Sequence, residues 1–437
     1  MNITTKIRGS KVLYDWDENY DYLRGRRLWI DYGEQITAPT HILNFTAALV
    51  MLGPASLNTT PFNLSELTQP ELDTLNQLVK MLIISKGCGG YVNIRRGHRT
   101  PYKKDDSGGF TATHIISDTP IRGDGPMLVA QGLGKDGLNI ALMTKTLGFN
   151  AESFIVKNEL TQKLWTERMS VAYKFHTEIN MRCHIIDTNW YKDVRAYINP
   201  ADAFVPEYMI LPLAWKHNVE AIYRGTHIHF NNFREKDLAL HCPQSSVFGG
   251  AMIGKVTGIP TSSPHIGLTN YGAQKLLGDN HPEMLHYQRS CMHGMRWCNN
   301  CGKCNNHYVV YKLHGYDTDK VGLNPQTDYG RSIRDNVYKD ACGLSGVMNL
   351  QLYNKLTENI EPDEWVTGVN KIAYNNCYRG KEYLDYIAEI LEVYSHDPGG
   401  DGFGWTSKPS IWSKVIERGY LEEYYDYNSS GNKTTDN

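Results

Sequence analysis

The sequence predicts an α/β protein built on a parallel sheet, and three observations lead there. Met127-Leu128-Val129-Ala130 is a short apolar run that runs straight into the glycine-rich turn Gln131-Gly132-Leu133-Gly134-Lys135-Asp136-Gly137. Leu138 to Leu147 follows with the length and apolar content of a helix and stops at Gly148. Ser153-Phe154-Ile155-Val156 then reads as a second strand. Strand, tight turn, helix, strand is a βαβ unit, whose strands lie parallel. At 437 residues the chain exceeds one ordinary domain. Changes in pattern divide it into a mixed α/β unit over residues 1–110, the parallel-sheet domain over 111–316, and a mainly helical region with a polar tail over 317–437.

In the first unit, Arg26 to Tyr32 has the branched and aromatic content of a strand and ends at Gly33. Ile42 to Leu52 is apolar enough for a buried helix, and Gly53-Pro54 is expected to close it. Thr68-Gln69-Pro70-Glu71 has the form of a capping box. It opens a helix whose apolar face is Leu72, Leu75, Leu78, Val79 and Leu82, ending at Gly87-Cys88-Gly89-Gly90. The polar stretch from Arg95 to Gly109 marks the boundary. Beyond the central turn, Pro206 to His217 reads as a helix and Val219 to Tyr223 as a strand. Lys381 to Tyr394 reads as a helix, and Asn428 to Asn437 as a frayed tail.

Composition excludes several classes of function. Hydrophobic residues at 41% and charged residues at 21% rule out a disordered chain. Lys+Arg of 45 against Asp+Glu of 47 leaves a net charge of −2, which argues against nucleic acid as a partner. No apolar run reaches the ~18 residues of a membrane span. The first residues lack the apolar core of a signal peptide, so a cytoplasmic protein is expected.

Nine cysteines are unevenly spread. Cys88, Cys183, Cys242, Cys342 and Cys377 stand alone, as small buried hydrophobes often do. Cys291, Cys298, Cys301 and Cys304 cluster with gaps of six, two and two residues. Four thiolates are what a tetrahedral zinc ion takes in a closed structural site, and Gly302 suits the tight turn between the last two. An iron–sulfur cluster takes four cysteines too. His281, His286, His293, His307 and His314 lie nearby, but four sulfurs already complete the shell.

The glycine-rich turn opens a helix, where converging backbone N–H groups and the helix dipole favour an anion. Lys135 adds a phosphate-directed cation, and Asp136 offers a carboxylate for Mg²⁺ or for holding the loop. A Walker A loop is excluded because Asp136 stands where Ser/Thr is required. The dinucleotide fingerprint is excluded because its third glycine is missing. On its own the turn serves equally well as a plain strand-to-helix connection.

Loop and cysteine cluster together resemble the PP-loop ATP pyrophosphatases of the adenine-nucleotide α-hydrolase superfamily. The loop is similar to Ser-Gly-Gly-Gly-Lys-Asp-Ser, matching at Gly132, Gly134, Lys135 and Asp136 and departing at Gln131, Leu133 and Gly137. Ser290-Cys291 with Arg296-Trp297-Cys298-Asn299-Asn300-Cys301-Gly302-Lys303-Cys304 resembles the cysteine-rich ending of the UDP-N-acetylmuramoyl-L-alanyl-L-glutamate epimerases. The 7-cyano-7-deazaguanine synthases share part of that ending. The resemblance covers residues 120 to 316 or so and implies a HUP-like fold. It implies ATP with Mg²⁺ and Zn²⁺, and a small-molecule carboxylate adenylated with release of pyrophosphate. Gly132, Gly134, Lys135 and Asp136 would bind ATP, with Lys135 and Asp136 catalytic. His227 and His229, after a strand end, are candidates for the base of an epimerisation. Two alternatives stand beside this reading: a degenerate relative that binds nucleotide without turnover, and a tRNA-modifying PP-loop enzyme that uses cysteines to carry sulfur.

Overall fold

Residues 2–17, 27–57, 62–87, 91–94, 98–101, 109–112, 123–157, 161–194, 205–226, 233–234, 239–240, 247–268, 270–291, 294–324 and 377–391 are described by a computed structural model. His227, His229, His293, Cys88, Cys242, Cys342, Arg95 to Gly97 and the C-terminal tail lie outside them.

The chain begins with a hairpin that sequence reading passes over. β1 (Asn2–Arg8) and β2 (Lys11–Trp16) pair antiparallel, and β3 (Leu28–Asp31) adds to β2 antiparallel. Alternation explains it: Val12 and Tyr14 on β2, and Leu28 and Ile30 on β3, point to one buried face. α1 (Thr40–Val50) lies against that face and is buried from His41 through Val50. α2 (Leu52–Leu57) follows at once. Gly53-Pro54 therefore does not end the helical stretch; both sit in the first turn of a new helix. There the missing proline N–H costs nothing, because the first N–H groups of a helix have no intrahelical acceptor.

β4 (Phe62–Leu64) runs parallel to β1, and α3 (Gln69–Gly87) is the capped helix expected from the sequence. The cap is reciprocal. Thr68 N–H donates to Glu71 Oε2 at 2.8 Å, and Glu71 N–H donates to Thr68 Oγ1 at 3.3 Å. A two-stranded piece, β5 (Tyr91–Ile94) with β6 (His98–Pro101), stands apart. β7 (Phe110–Ala112) completes this half, parallel to β4.

The second half is the βαβ unit extended. β8 (Met127–Ala130), α4 (Lys135–Thr146), β9 (Ala151–Val156), α5 (Gln162–Glu178) and β10 (Cys183–Thr188) come first. A 3₁₀ segment Val205–Ile210 leads into α6 (Leu211–Lys216) and β11 (Ile222–Tyr223). A minor pair, β12 (Phe233–Arg234) and β13 (Ala239–Leu240), precedes α7 (Val247–Thr257) and β14 (Thr261–Ser262). The remaining described helices are α8 (Asn270–Asn280), α9 (Gly302–Leu313), α10 (Thr318–Val321) and α11 (Gly380–Leu391).

β14, β11, β8, β9 and β10 are mutually parallel. Counted in chain order within this half, their spatial order is 3-2-1-4-5, the doubly wound arrangement, once β11 and β14 are taken as the outward-growing pair on one side of β8. β10 then pairs antiparallel with β3, so apart from the β5–β6 and β12–β13 pairs the described strands of both halves share one ten-stranded, mostly parallel sheet. One core lies between the N-terminal strands and α1, α3, α6 and α7. The other covers the opposite face of the parallel strands with α4, α5, α8, α9 and α11. α11 is held there by Tyr383, whose hydroxyl meets Thr144 Oγ1 of α4 at 2.8 Å. Among the described residues no helix is long and apolar enough to cross a membrane.

Two boundaries move. The helix expected from Leu138 starts three residues earlier, so Lys135 and Asp136 occupy the first turn of α4 and not the loop. The expected strand Val219 to Tyr223 shortens to two residues, with Val219 making only an isolated bridge to Gly125.

Candidate functional site

In a doubly wound sheet the crevice opens where the strand order reverses, at the C-terminal strand ends. The glycine-rich loop leaves β8 beside β11, at that end of the sheet. Gly134 is the N-cap of α4 and brings no side-chain cap. Gly225, just past β11, lets the two strand ends close together: a Cβ at that position would lie 2.6 Å from Asp136 Cβ.

The loop keeps its shape with its own polar groups. Leu133, fully buried, adopts the left-handed conformation with φ of 58°. Glycine reaches that region freely, whereas a leucine there costs about 1–2 kcal/mol. Three hydrogen bonds offset it. Leu133 N–H donates to Gln131 Oε1 at 2.8 Å, Arg289 N–H donates to Leu133 O at 2.6 Å, and Arg168 Nη1 donates to Gly132 O at 2.6 Å. Gln131 and Gly137 are complementary, since a Cβ at 137 would fall 2.4 Å from Gln131 Oε1.

Lys135 is 7% exposed and its Nζ meets Asp136 Oδ2 at 3.0 Å. Burial lowers its pKa, and Asp136 partly restores it. Four residues to which sequence reading gave no role belong to this neighbourhood. His265, past β14, has Nδ1 at 3.4 Å from Asp136 Oδ1, and burial holds its pKa below the usual histidine range. Arg224, 1% exposed, lies over the Tyr208 ring with its guanidinium carbon 4.8 Å from the centroid. Glu207 on the 3₁₀ segment is pushed up to about 7, by burial first, with Arg224 opposing and Asp136 adding to the rise. Lys303 on α9 acts electrostatically on Lys135 from the side of the cysteine cluster.

The four clustered cysteines meet as the spacing predicts. Their sulfurs all lie within 4.8 Å of one another, with Cys298–Cys304 at 3.8 Å and Cys301–Cys304 at 3.4 Å. Zinc–sulfur bonds of ~2.3 Å in a tetrahedron put sulfurs about 3.8 Å apart. Cys298 N–H donates to Cys291 Sγ at 3.4 Å. Cys301 is the N-cap of α9 and Cys304 lies in its first turn, where the helix dipole favours a thiolate. Burial and the neighbouring Cys301 sulfur push the Cys304 thiol up, a crowding that a divalent cation relieves. These residues could hold a metal such as zinc.

No protein-family model and no curated protein matches the chain. The chemistry of its crevice is carried by its own residues. His307 on α9 is not one of the sulfur site's ligands. Its ring centroid lies 5.2 Å from that of Trp297, and burial, then Lys135 and Lys303, lower its pKa to about 3. The cysteine cluster and the loop are thus neighbours. Ser290 Oγ lies 3.9 Å from where a Gly134 side chain would begin, one residue before Cys291. His281, His286 and His314 remain polar residues outside the cluster.

Proposed function

We propose that the protein is an ATP-dependent PP-loop enzyme that adenylates a small-molecule carboxylate and releases pyrophosphate, on a HUP-like fold. The observation that carries this reading is the placement of Lys135 and Asp136 in the first turn of α4, at the C-terminal end of β8 beside β11. Attack on an α-phosphate makes pyrophosphate the leaving group, so charge builds on the β,γ-phosphates. Lys135, with Lys303 behind it, supplies fixed positive charge, and the N-terminus of α4 adds the positive end of its dipole. Asp136 would hold Mg²⁺, whose chemistry is to neutralise phosphate oxygens; a hard cation takes such a carboxylate oxygen. Glu207, with a pKa near 7, is suited to exchange a proton at the substrate. The four-cysteine site would carry Zn²⁺ and fix the start of α9 beside the loop.

Isotope exchange between labelled pyrophosphate and ATP, dependent on a carboxylate, tests the reading. Lys135→Ala and Asp136→Ala should each abolish exchange, with both variants still folded. Exchange that survives both substitutions would refute it.

One observation favours a second reading, nucleotide binding without turnover. Gln131 spends its side-chain carbonyl on Leu133 N–H, and Gly137 offers no hydroxyl, so the loop presents fewer phosphate donors than the family signature. In that case ATP raises the melting temperature while no carboxylate elicits pyrophosphate.

A further inference from the structure

The opposite end of the parallel sheet holds a second cluster that the loop chemistry does not use. His184 opens β10, Glu34 follows β3, and His217 follows α6. Their ligand atoms all lie within 4.8 Å of one another. Glu34 Oε1 is 2.8 Å from His217 Nε2 and 3.7 Å from His184 Nδ1. A tetrahedral ion with bonds of ~2.0–2.1 Å needs donors about 3.3 Å apart, which these separations bracket.

The surroundings of His184 are those of a metal ligand. Its Nε2–H donates to Glu152 Oε2 at 2.5 Å, which leaves Nδ1 as the lone-pair nitrogen, directed at Glu34 Oε1. A cation placed between that nitrogen and the carboxylate oxygen is attracted by both. Carboxylate–histidine–metal relays have this form, because the outer carboxylate fixes the tautomer and raises the basicity of the inner nitrogen. Arg182 Nη1, 3.7 Å from Glu152 Oε1, steadies that carboxylate. Lys216 holds the other oxygen of Glu34, Oε2, and so orients the carboxylate without covering Oε1.

We propose that Glu34, His184 and His217 form a second metal centre, an N₂O site for a divalent first-row transition ion such as zinc or cobalt, joining the N-terminal strands to the parallel half. Imidazole and carboxylate donors suit such ions, and three protein ligands leave a fourth position for water. On binding, the His217 proton moves from Nε2 to Nδ1, and the metal replaces its hydrogen bond to Glu34. The centre is independent of the nucleotide reading, since it uses none of the loop residues.

The test counts metal in the full-length chain after dialysis against excess Zn²⁺ and removal of free ion. Two zinc ions per chain are expected, falling to one in His184→Ala. His217→Gln keeps an amide donor toward Glu34 and so guards against loss of folding; it too should retain one ion. Glu152→Gln should weaken the second site about 10–100-fold. With Co²⁺, the equivalent lost in His217→Gln should lack a thiolate-to-cobalt charge-transfer band, which only the four-cysteine site produces. One zinc in the native chain and in folded His217→Gln alike would overturn the proposal, as would a second equivalent that survives both histidine substitutions.

Discussion

Replacing Gly137 by Ser would return one hydroxyl of the pyrophosphatase signature, and helix propensity alone favours the change by about 0.5 kcal/mol. Packing opposes it. The new Cβ would stand 2.4 Å from Gln131 Oε1 and 3.1 Å from Ala130 O, so the Gln131 side chain must leave. Its departure strips the acceptor from Leu133 N–H, a buried donor whose loss of partner costs ~1–3 kcal/mol. Displacing packed atoms adds ~1–3 kcal/mol. Net destabilisation by about 1.5–5.5 kcal/mol follows, or about 3–20 °C in the melting of a unit of ~200 residues. Gln131→Ser removes the obstacle, so the double variant Gln131→Ser, Gly137→Ser should be more stable than the sum of the two single changes by at least ~1 kcal/mol. Thermal melting of all four proteins measures this coupling. A Gly137→Ser protein that melts at or above the native temperature, or strict additivity within ~0.5 kcal/mol, would refute the fit between Gln131 and Gly137.

Cys301→Ser should lose the metal of the sulfur site and lower stability sharply, because metal-binding energy there is folding energy; elemental analysis with melting checks both. Glu207 has a folded pKa of about 7 against an ordinary 4.5. Its contribution to stability is therefore full below about pH 4.5 and is lost as pH rises through 7. Glu207→Gln should remove about 3 kcal/mol of that pH dependence, read as the difference between the two denaturation-versus-pH curves. Glu71 caps α3 and also meets His41 Nδ1 at 2.9 Å in a fully buried pair. Glu71→Ala leaves two buried donors without acceptors and should cost about 3 kcal/mol in melting or denaturant experiments.

Local patterns were legible in the sequence. The βαβ unit, the capping box at Thr68 and Glu71, and the cysteine spacing all depend on residues close in the chain. The start of α4 was misplaced because Gly134 serves as N-cap where Ser, Thr, Asp or Asn would have announced the helix. Glu207, Arg224 and His265 escaped notice for a different reason. Each is a single polar residue in or beside a short apolar segment, and only the fold brings Glu207 and His265 to Asp136 and Arg224 to Glu207. The N-terminal hairpin carried its signal in the alternation of Val12 and Tyr14. Its docking through β3 onto β10 is a long-range register that no local pattern encodes.

That docking makes β10 an interior strand. Asp31 and Ile30 register with Asp187 and Thr188, Thr188 Oγ1 donates to Trp29 O at 2.8 Å, and Trp29 N–H donates to Asn189 Oδ1 at 2.9 Å. A fragment beginning after Ala112 would strip this cover and bare a row of N–H and C=O groups along one side of β10. His184, Ile186 and Thr188, now buried, would lose much of their shelter. An uncovered edge of that kind recruits other chains, so the parallel half expressed alone would self-associate through β10. The N-terminal strands thus act as a guard against polymerisation of the half that carries the loop.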